Sequence, residues 1–335
     1  MTTDVAVEVW RDGQVESRHR VAAIVVDASD RPVLSVGDVD AVVFPRSAVK
    51  PFQALPLIET GAADAYGLGD AELALACASH SGMPLHVDLV DAWLRRIGLD
   101  ESDLACGPHL PSNGPAAEAL LRAGLTPRRV HNNCSGKHTG MLTACLHNGW
   151  PTAGYERPDH PLQEAIRRAL TEVAGIDALS ALGIDGCSLP APAMPLRALA
   201  QAVAKLADPS DLPVARAAAL LRLGLAMRAR PELVAGPGRC TTAVMRAVPD
   251  VIVKSGAEGV FVAALPEKGL GLALKVEDGG GRASEVALVA LLGAIGALEG
   301  ADIDALQPHG APRLTNAAGI EVGHLAPAPG WPKAA

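Results

Sequence analysis

The order of hydrophobic patterns along the chain predicts an α+β fold with a mixed sheet and a separate helical layer. Strand-like segments occur near both ends of the 335 residues, and segments with helical periodicity fill the middle. Terminal strands separated by a run of helices are expected to share one sheet, and the helices form a layer of their own. Hydrophobic residues make up 49% of the chain but aromatic residues only 3%. The core must therefore be built from small aliphatic side chains that approach closely.

Three apolar or alternating segments near the N-terminus predict an antiparallel meander. Asp12-Gly13 and the polar cluster at Asp27–Arg31 separate them, and both have the composition of turns. The predicted strands are Val5–Trp10, Val21–Asp27 and Pro32–Val36.

Helical spacing of apolar residues begins at Ser47 and continues to residue 230. The first predicted helix runs from Ser47 to Thr60, and Gly61 is expected to end it. The other helices are predicted at Ala71–Ser79, His86–Ile97, Pro161–Ala174, Leu196–Leu206 and Leu212–Arg230.

The last part of the chain returns to strands before a final helix. Strands are predicted at Val251–Lys254, Gly259–Leu265 and Gly271–Val276, and a helix at Ser284–Glu299. We therefore expect one catalytic unit over residues 1–325, with the sheet drawn from about 1–46 and 251–325 and a helical portion at about 47–250. The Pro/Ala-rich residues 326–335 predict a flexible tail.

Charge and hydropathy exclude several classes of function. The net charge of −8 argues against a nucleic-acid partner, which needs a basic face, and against an anionic membrane surface. The longest apolar run, Val286–Leu298, is shorter than the roughly 20 residues that span a bilayer. Without an apolar leader we expect a cytoplasmic protein, whose six scattered cysteines are thiols or ligands rather than disulfides.

Ser47 and Lys50 form an S-x-x-K pattern at the start of the first predicted helix. Residues three apart lie on one helix face. A serine becomes a good nucleophile only when a base removes its proton, and a lysine with a lowered pKa can do so. The pattern predicts acyl transfer through a serine ester. Alternatively, Ser47 is only a helix N-cap and Lys50 a solvated first-turn residue.

Lys254-Ser255-Gly256 closes a predicted strand and resembles the K-[ST]-G signature that accompanies S-x-x-K in serine β-lactamases and penicillin-binding proteins. Between the two motifs, Ser79 and Ser81 are candidate second hydroxyls, although His80-Ser81 does not match the S-D-N motif of β-lactamases. The alternatives are a strand-end turn with an exposed Lys254 and a hydrogen-bonded loop histidine at His80.

The segment His131–Met141 is the densest run of polar chemistry in the chain. It places Cys134 and Lys137 at the start of a small-residue helix, and Asp185-Gly186-Cys187 adds a thiol and a carboxylate in a turn. Two thiols near histidines are a candidate zinc site, although there is no C-x-x-C pair. Buried thiols, with Asp185 capping the turn, are the alternative.

Together these stretches resemble the serine–lysine (class 3, rhizobial-type) L-asparaginase II family over nearly the whole chain. The matching segments are Phe44–Lys50, Ala76–Gly82, His131–Met141, Asp185–Cys187 and Lys254–Gly259. The resemblance implies a fold similar to that of serine β-lactamases, a homodimer, and hydrolysis of L-asparagine to L-aspartate and ammonia.

The resemblance also implies two serine–lysine tandems, Ser47 with Lys50 and Ser79 with Lys254. In this interpretation Ser47 attacks, Lys50 is its general base, and the product is a β-aspartyl ester. Ser79 and Lys254 assist proton transfer and hold the substrate. Which serine is acylated stays open, because each has a lysine partner.

The same resemblance implies one zinc ion per chain, held by Cys134, Lys137 and Cys187 with water as the fourth ligand. A lysine ligand must be neutral to donate its lone pair, and the charge of the cation would supply the necessary pKa shift. Asp185 is expected to recognise the α-ammonium group, with His80 and Cys134 also at the substrate site. Zinc is then expected to shape the pocket rather than to generate the nucleophile.

Two other functions remain open. A related amidohydrolase would act on glutamine or an amino-acid amide. A zinc-stabilised amino-acid-binding protein would bind aspartate and release no ammonia, and the paired motifs at Ser47–Lys50 and Lys254–Gly256 disfavour it.

Overall fold

The computed structural model describes residues 5–332 and divides into two compact units. The sheet unit comprises the described residues up to Ala48, Ala193–Asp208 and the described residues from Ala243 onward. The helical unit comprises Val49–Pro192 and Pro209–Thr242. The chain therefore crosses between the units several times, and neither unit is a continuous segment.

Strands lie mainly in the sheet unit. They are β1 (Val5–Arg11), β2 (Gln14–Asp27), β3 (Pro32–Val36), β4 (Val42–Val43), β5 (Ala181–Ile184), β6 (Pro190–Pro195), β7 (Ile252–Ser255), β8 (Val260–Leu265), β9 (Leu270–Val276), β10 (Arg313–Thr315) and β11 (Glu321–Pro327).

Helices fill most of the helical unit and flank the sheet. They are α1 (Lys50–Gln53), α2 (Leu55–Glu59), α3 (Ala62–Ala65), α4 (Asp70–Ala76), α5 (Pro84–Arg96), α6 (Gly114–Arg122), α7 (Ser135–Asn148), α8 (Pro161–Ala174), α9 (Leu196–Ala207), α10 (Val214–Ala229), α11 (Pro231–Val234), α12 (Cys240–Ala247), α13 (Gly281–Ala294) and α14 (Ala301–Gly310).

The large sheet confirms the predicted α+β fold, in which N- and C-terminal strands are mixed in one sheet. Its strand order is β10-β11-β1-β2-β9-β8-β7, and β3 pairs with β2. The N-terminal β2 pairs antiparallel with the C-terminal β9, with Ile24 opposite Ala273. The predicted meander is also confirmed, because β1, β2 and β3 pair antiparallel in succession.

Two helices of the sheet unit, α9 and α13, pack on the sheet through β8 and β9. All six residues of β8 are buried. Because successive side chains of a strand point to opposite faces, both faces of β8 are covered. Gly271 in β9 allows a backbone approach by α9 that any Cβ would block, since that Cβ would overlap the backbone of Ala204.

The helical unit is built around α7, although the sequence of this helix is polar. Every residue from Ser135 to Cys145 is buried, and α7 packs on α2, α3, α4 and α5. The hydroxyls of Thr139 and Thr143 donate to carbonyls one turn earlier, at 2.9 and 2.8 Å. Such internal hydrogen bonds satisfy buried hydroxyl groups without an outside partner.

The single helix predicted from Ser47 to Thr60 is wrong. The structure has a 3-10 turn at Arg46–Val49, followed by the short helices α1 and α2. Pro51 and Pro56 each stand at the start of one of these helices. A proline removes a backbone donor and is tolerated only in the first turn, so the segment restarts at each one.

Near the C-terminus, residues 326 and 327 end β11 and Trp331 is buried, while residues 333–335 lie outside the described part of the chain. The flexibility of the tail stays a prediction. Among residues 5–332, none of the helices has the length and apolar character that crossing a bilayer requires.

Candidate active site

Ser47 lies in the 3-10 turn that ends the first segment of the sheet unit. The preceding Arg46 has φ of 53°, in the left-handed region. A non-glycine residue there costs free energy, and such residues cluster at functional sites. Ser188 and Glu258 also have positive φ, and they follow Cys187 and the Lys254-Ser255-Gly256 motif. Three of the motifs named from the sequence are therefore flanked by strained backbone.

Lys254 lies near the end of β7, also in the sheet unit, and is only 2% exposed. Its ammonium group donates to the Ser255 carbonyl at 2.8 Å. A Cβ on the neighbouring Gly256 would overlap the carbonyl oxygen of Pro45. Glycine at this position therefore lets the end of β7 pack directly on the backbone two residues before Ser47.

Lys50 begins α1 in the helical unit and is completely buried. Its Nζ donates to the Ala78 carbonyl at 2.6 Å, to Ser79 Oγ at 2.9 Å and to Cys134 Sγ at 3.1 Å. An ammonium group has three donors, and here each has an acceptor. Lys50 thus links Ser79, which follows α4, to Cys134, which precedes α7.

The backbone around Ser79 is fixed by neighbouring loops. The Ser79 amide donates to the Val234 carbonyl at 2.9 Å, and the His80 amide donates to the Asn133 carbonyl at 3.2 Å. Ser79 is 8% exposed, so its hydroxyl lies at the edge of the buried region. These contacts hold the Ser79 hydroxyl against Lys50.

Both ring nitrogens of His80 are engaged within the protein. The Gly82 amide donates to Nδ1 at 3.1 Å, and Nε2 lies 2.9 Å from Ser135 Oγ. Ser135 Oγ itself donates to the Val130 carbonyl, so Nε2 is the protonated nitrogen and His80 donates to Ser135. Burial, together with the nearby His86 and Lys50, lowers the pKa of His80 well below 6.5. His80 is therefore a neutral ring inside the protein.

Cys134, Lys137 and Cys187 form a buried cluster in the helical unit. Lys137 Nζ lies 3.2 Å from Cys187 Sγ, and the two thiol groups are hydrogen-bonded to each other. The hydrogen bond from Cys187, aided by Lys50, lowers the pKa of Cys134 well below 9, whereas the pKa of Cys187 is raised. The deprotonated form is therefore favoured at Cys134 and the protonated form at Cys187.

Lys137 is held as a cation in this cluster. Burial acts to lower its pKa, but the two sulfur atoms and the Asp185 carboxylate outweigh burial and raise it above its usual range. Asp185 lies in the turn between β5 and β6, where its amide donates to the Leu189 carbonyl at 2.8 Å. Its own carboxylate accepts from the Gly186 amide at 2.7 Å.

A second buried dyad was not identified from the sequence. His138 Nδ1 lies 2.5 Å from the Tyr155 hydroxyl, which also accepts the Ala105 amide at 2.9 Å. Burial lowers the pKa of His138 well below 6.5. His138 belongs to the polar segment His131–Met141 and lies in the first turn of α7, but Tyr155 lies in a loop with no motif. The sequence therefore carried no signal for this contact.

The residues named from the sequence thus fall into two groups. In the helical unit, Lys50, Ser79 and Cys134 are in direct contact, and Lys137 and Cys187 lie in the same cluster. Ser47 and Lys254 belong to the sheet unit. The hydrogen bond between Lys50 and Ser79 joins members of the two serine–lysine tandems that were expected to be separate pairs. The six cysteines, all of them within residues 5–332, are buried, and none of them forms a disulfide.

Two solved structures resemble the chain. A β-lactamase from Mycobacterium bovis is 14% identical, with a TM-score of 0.44, and the match covers 82% of this chain and 94% of that one. A β-lactamase from Burkholderia ambifaria is 15% identical, with a TM-score of 0.36, and the match covers 84% of this chain and 96% of that one. No curated protein sequence matches the chain significantly.

The description of one protein family, L-asparaginase II, matches residues 7–327. The match includes every motif discussed above, from Ser47 to Lys254, and nearly the whole described structure. It also agrees with the resemblance inferred from the sequence. The chain belongs to the L-asparaginase II family.

Proposed function

We propose that this protein hydrolyses L-asparagine to L-aspartate and ammonia through a serine–lysine acyl-enzyme mechanism. Membership of the L-asparaginase II family supports an amidohydrolase that acts on an amide substrate. The observation that carries the proposal is the buried ammonium group of Lys50, 2.9 Å from the Ser79 hydroxyl and three residues after Ser47. Proton transfer between lysine and serine requires a buried amine in contact with a hydroxyl, and Lys50 makes that contact with Ser79. The choice of Ser47 as the nucleophile rests on the S-x-x-K spacing.

In the proposed mechanism Ser47 attacks the side-chain amide carbon of asparagine. Neutral Lys50 accepts the serine proton and delivers it to the leaving amide nitrogen, so that ammonia departs and a β-aspartyl ester remains. Water then attacks the ester and restores the serine. The strained Arg46 immediately before Ser47 supports this role, because strained backbone commonly presents a nucleophile. The backbone N–H of Ser47 is proposed for the oxyanion hole.

Ser79 and Lys254 are proposed as the second hydroxyl and amine, which relay protons and hold the substrate. Ser79 has the contact to Lys50 that proton relay needs, with both groups in one hydrogen-bonded chain. Lys254 is buried at the end of β7, 2% exposed, as a residue that contacts an enclosed substrate would be. Asp185 is proposed to pair with the α-ammonium group of the substrate, because its carboxylate is close enough to the Cys134–Lys137–Cys187 cluster to act on Lys137.

A zinc ion is part of the proposal, held by Cys134, Lys137 and Cys187. In a tetrahedral site with Zn–S of about 2.3 Å and Zn–N of about 2.0 Å, sulfur and nitrogen lie roughly 3.5 Å apart. Lys137 Nζ and Cys187 Sγ lie 3.2 Å apart, close to that separation, which supports these two as donors. A metal ion bound there would supply a fixed positive charge, which would favour deprotonated Cys134 and Cys187 and a neutral Lys137.

The test of the proposed function is ammonia release from L-asparagine, measured side by side with L-glutamine and with D-asparagine. The parent protein is expected to prefer L-asparagine. Ser47→Ala is expected to lose turnover while keeping its circular-dichroism spectrum, and the exposed Ser29→Ala serves as a control with parent activity. Binding of aspartate without ammonia release from any amide would refute the proposal.

A further inference from the structure

The carboxamide of Gln53 is buried without a hydrogen-bond partner. Gln53 is the last residue of α1 and is only 6% exposed. No donor or acceptor of residues 5–332 forms a hydrogen bond with its side chain. A buried polar group that lacks a partner costs free energy, and such groups are rare in folded proteins. The donors and the acceptor of this carboxamide are therefore available to a ligand.

Gln53 lines a hollow of the helical unit between α1, α8 and the strands β5 and β6. This inner hollow has a volume of about 20 Å³, and Gln163, Arg167 and several apolar side chains form its other walls. Its size is sufficient for one small polar group. Gln53 also lines a hollow of about 10 Å³ beside Lys137, which is too small for anything larger than a water molecule. The space for a ligand thus lies on the α8 side of Gln53.

Gln163 brings a second acceptor to the inner hollow. It is 5% exposed, and its Nε2 donates to the Tyr155 carbonyl at 2.8 Å. Its Oε1 accepts no hydrogen bond from any group in residues 5–332. The inner hollow therefore offers two acceptor oxygens and the NH₂ group of Gln53. A primary carboxamide is the complement of this set, because its NH₂ group has two donors and its oxygen accepts.

A larger hollow adjoins the inner one, since Arg167, Leu179 and Leu182 line both. This outer hollow has a volume of about 400 Å³, which is in the range of small-molecule sites. Arg168 and Asp177 are among its other walls. A molecule of amino-acid size therefore fits with a polar end in the inner hollow and its body in the outer hollow.

Three charged side chains of the outer hollow are unpaired. Within the described residues 5–332, the side chains of Arg167, Arg168 and Asp177 form no ion pair or hydrogen bond. By contrast, Arg216 and Arg222 of the same unit pair with acidic residues. Guanidinium groups bind carboxylates, and a carboxylate binds an ammonium group. Two cations and one anion together match the α-carboxylate and the α-ammonium group of an amino acid.

The spacing along α8 matches the length of glutamine. Gln163 and Arg167 are four residues apart on one face of the helix, which is about 6 Å along its axis. The carboxylate and carboxamide carbons of extended glutamine lie about 5 Å apart, and those of asparagine about 4 Å. The methylene groups of such a ligand would contact Leu179 and Leu182, which line both hollows.

We propose that the two adjoining hollows form a second amino-acid site, which binds an α-amino acid with a terminal carboxamide and the length of L-glutamine. The α-carboxylate binds Arg167 and Arg168, and the α-ammonium group pairs with Asp177. The carboxamide pairs with Gln53 and Gln163. The site contains none of the serines and lysines of the proposed mechanism, so the proposal goes beyond the proposed hydrolysis and does not rest on it.

Protection of a cysteine in the outer hollow measures binding at this site. Ala178 is exposed and lines the outer hollow, and the six native cysteines are buried, so Ala178→Cys introduces one reactive thiol. The Ser47→Ala background prevents turnover of the ligand. L-Glutamine is expected to slow the reaction of this thiol with a maleimide in a saturable manner, whereas Ala301→Cys on α14 should react at an unchanged rate. L-Glutamate and L-norvaline, which lack the carboxamide, are expected to protect about tenfold more weakly.

Substitutions in the walls test which groups bind the ligand. Gln53→Leu is expected to require about tenfold more L-glutamine for half-protection, because it removes two hydrogen bonds. Arg167→Ala is a second variant for the case that Gln53→Leu does not fold. Its matched control is Arg95→Ala, since Arg95 is an exposed arginine of α5 without an ion pair in the described residues. No protection by L-glutamine, equal protection by all three amino acids, or protection that both wall variants leave unchanged would overturn the proposal.

Discussion

Replacing Gly136 by alanine tests whether the contact between α4 and α7 sets the geometry of the site. A Cβ at Gly136 would lie 2.5 Å from both the carbonyl oxygen and Cγ of Leu75, whereas ordinary contacts begin at 3.4 Å. The two helices must therefore separate by about 0.9 Å, the difference of these distances. Leu75 lies near the end of α4, just before Ser79, and Gly136 lies next to Lys137.

The magnitude follows from two opposing effects. Overpacking of a filled core costs about 1–3 kcal/mol, and the better helix propensity of alanine returns up to about 1 kcal/mol. We expect a net loss of about 1–2 kcal/mol in the free energy of unfolding. A displacement near 1 Å within the site is expected to lower kcat by roughly 10- to 100-fold.

Urea unfolding and ammonia release measure the two effects on the same preparation. Gly293→Ala is the control, because Gly293 lies in α13 and a Cβ there meets no atom within 4 Å. That control is expected to be as stable as the parent protein or slightly more stable. Parent stability and parent turnover in Gly136→Ala would show that the close packing of α7 on Leu75 does not position the site.

Three further predictions concern buried polar groups. Burial lowers the pKa of both His80 and His86 in the folded protein, whereas the unfolded rings titrate near 6.5, so the unfolded state binds more protons as pH falls. The free energy of unfolding should therefore decrease from pH 7 to pH 5, by at most about 1.4 kcal/mol per pH unit per histidine. A urea midpoint that does not change over this range would contradict neutral rings. Tyr155→Phe removes the acceptor of Ala105 N–H and the partner of His138, so it should destabilise the fold by about 1–3 kcal/mol in urea, while Tyr66→Phe at a partly exposed position should not. Cys187→Ser should lower the zinc content measured by elemental mass spectrometry. A chelator should lower the melting temperature of the parent protein but not that of the variant. A metal-free parent protein that is fully stable would argue against the ligand set.

Much of the fold follows from hydrophobic periodicity. β9 and the second half of β2, Val21–Asp27, were predicted from their apolar runs, whereas the first half of β2 was not. The pairing of the two strands follows from the rule that terminal strands share a sheet. α6 was missed although Asn113 and Pro115 mark a helix start, with Asn113 Oδ1 accepting the Ala116 amide. None of the residues of α6 is buried, so it presents no apolar face to the core, and it was by such faces that the other helices were predicted.

The candidate site could be predicted as a set of residue types but not as a set of contacts. The S-x-x-K and K-S-G spacings identify Ser47, Lys50 and Lys254 without any structure. The contact of Lys50 with Cys134 spans 84 residues and depends on tertiary packing that brings the start of α1 to the residue before α7. Local spacing carries no information about such packing, which is why the link between the proposed base and the proposed metal ligand appears only in three dimensions.

Identification of the acylated residue tests the central claim most directly. The protein is mixed with L-asparagine, quenched in acid within the first turnover and digested with a glutamate-specific protease. Trypsin cannot separate the two serines, because Lys50 is followed by proline and the next basic residue is Arg95, whereas cleavage after Glu59 and Glu72 puts Ser47 and Ser79 on different peptides. We expect one aspartyl group on the peptide that contains Ser47. An aspartyl group on the Ser79 peptide, or ammonia release with no serine ester at all, would contradict the proposed mechanism.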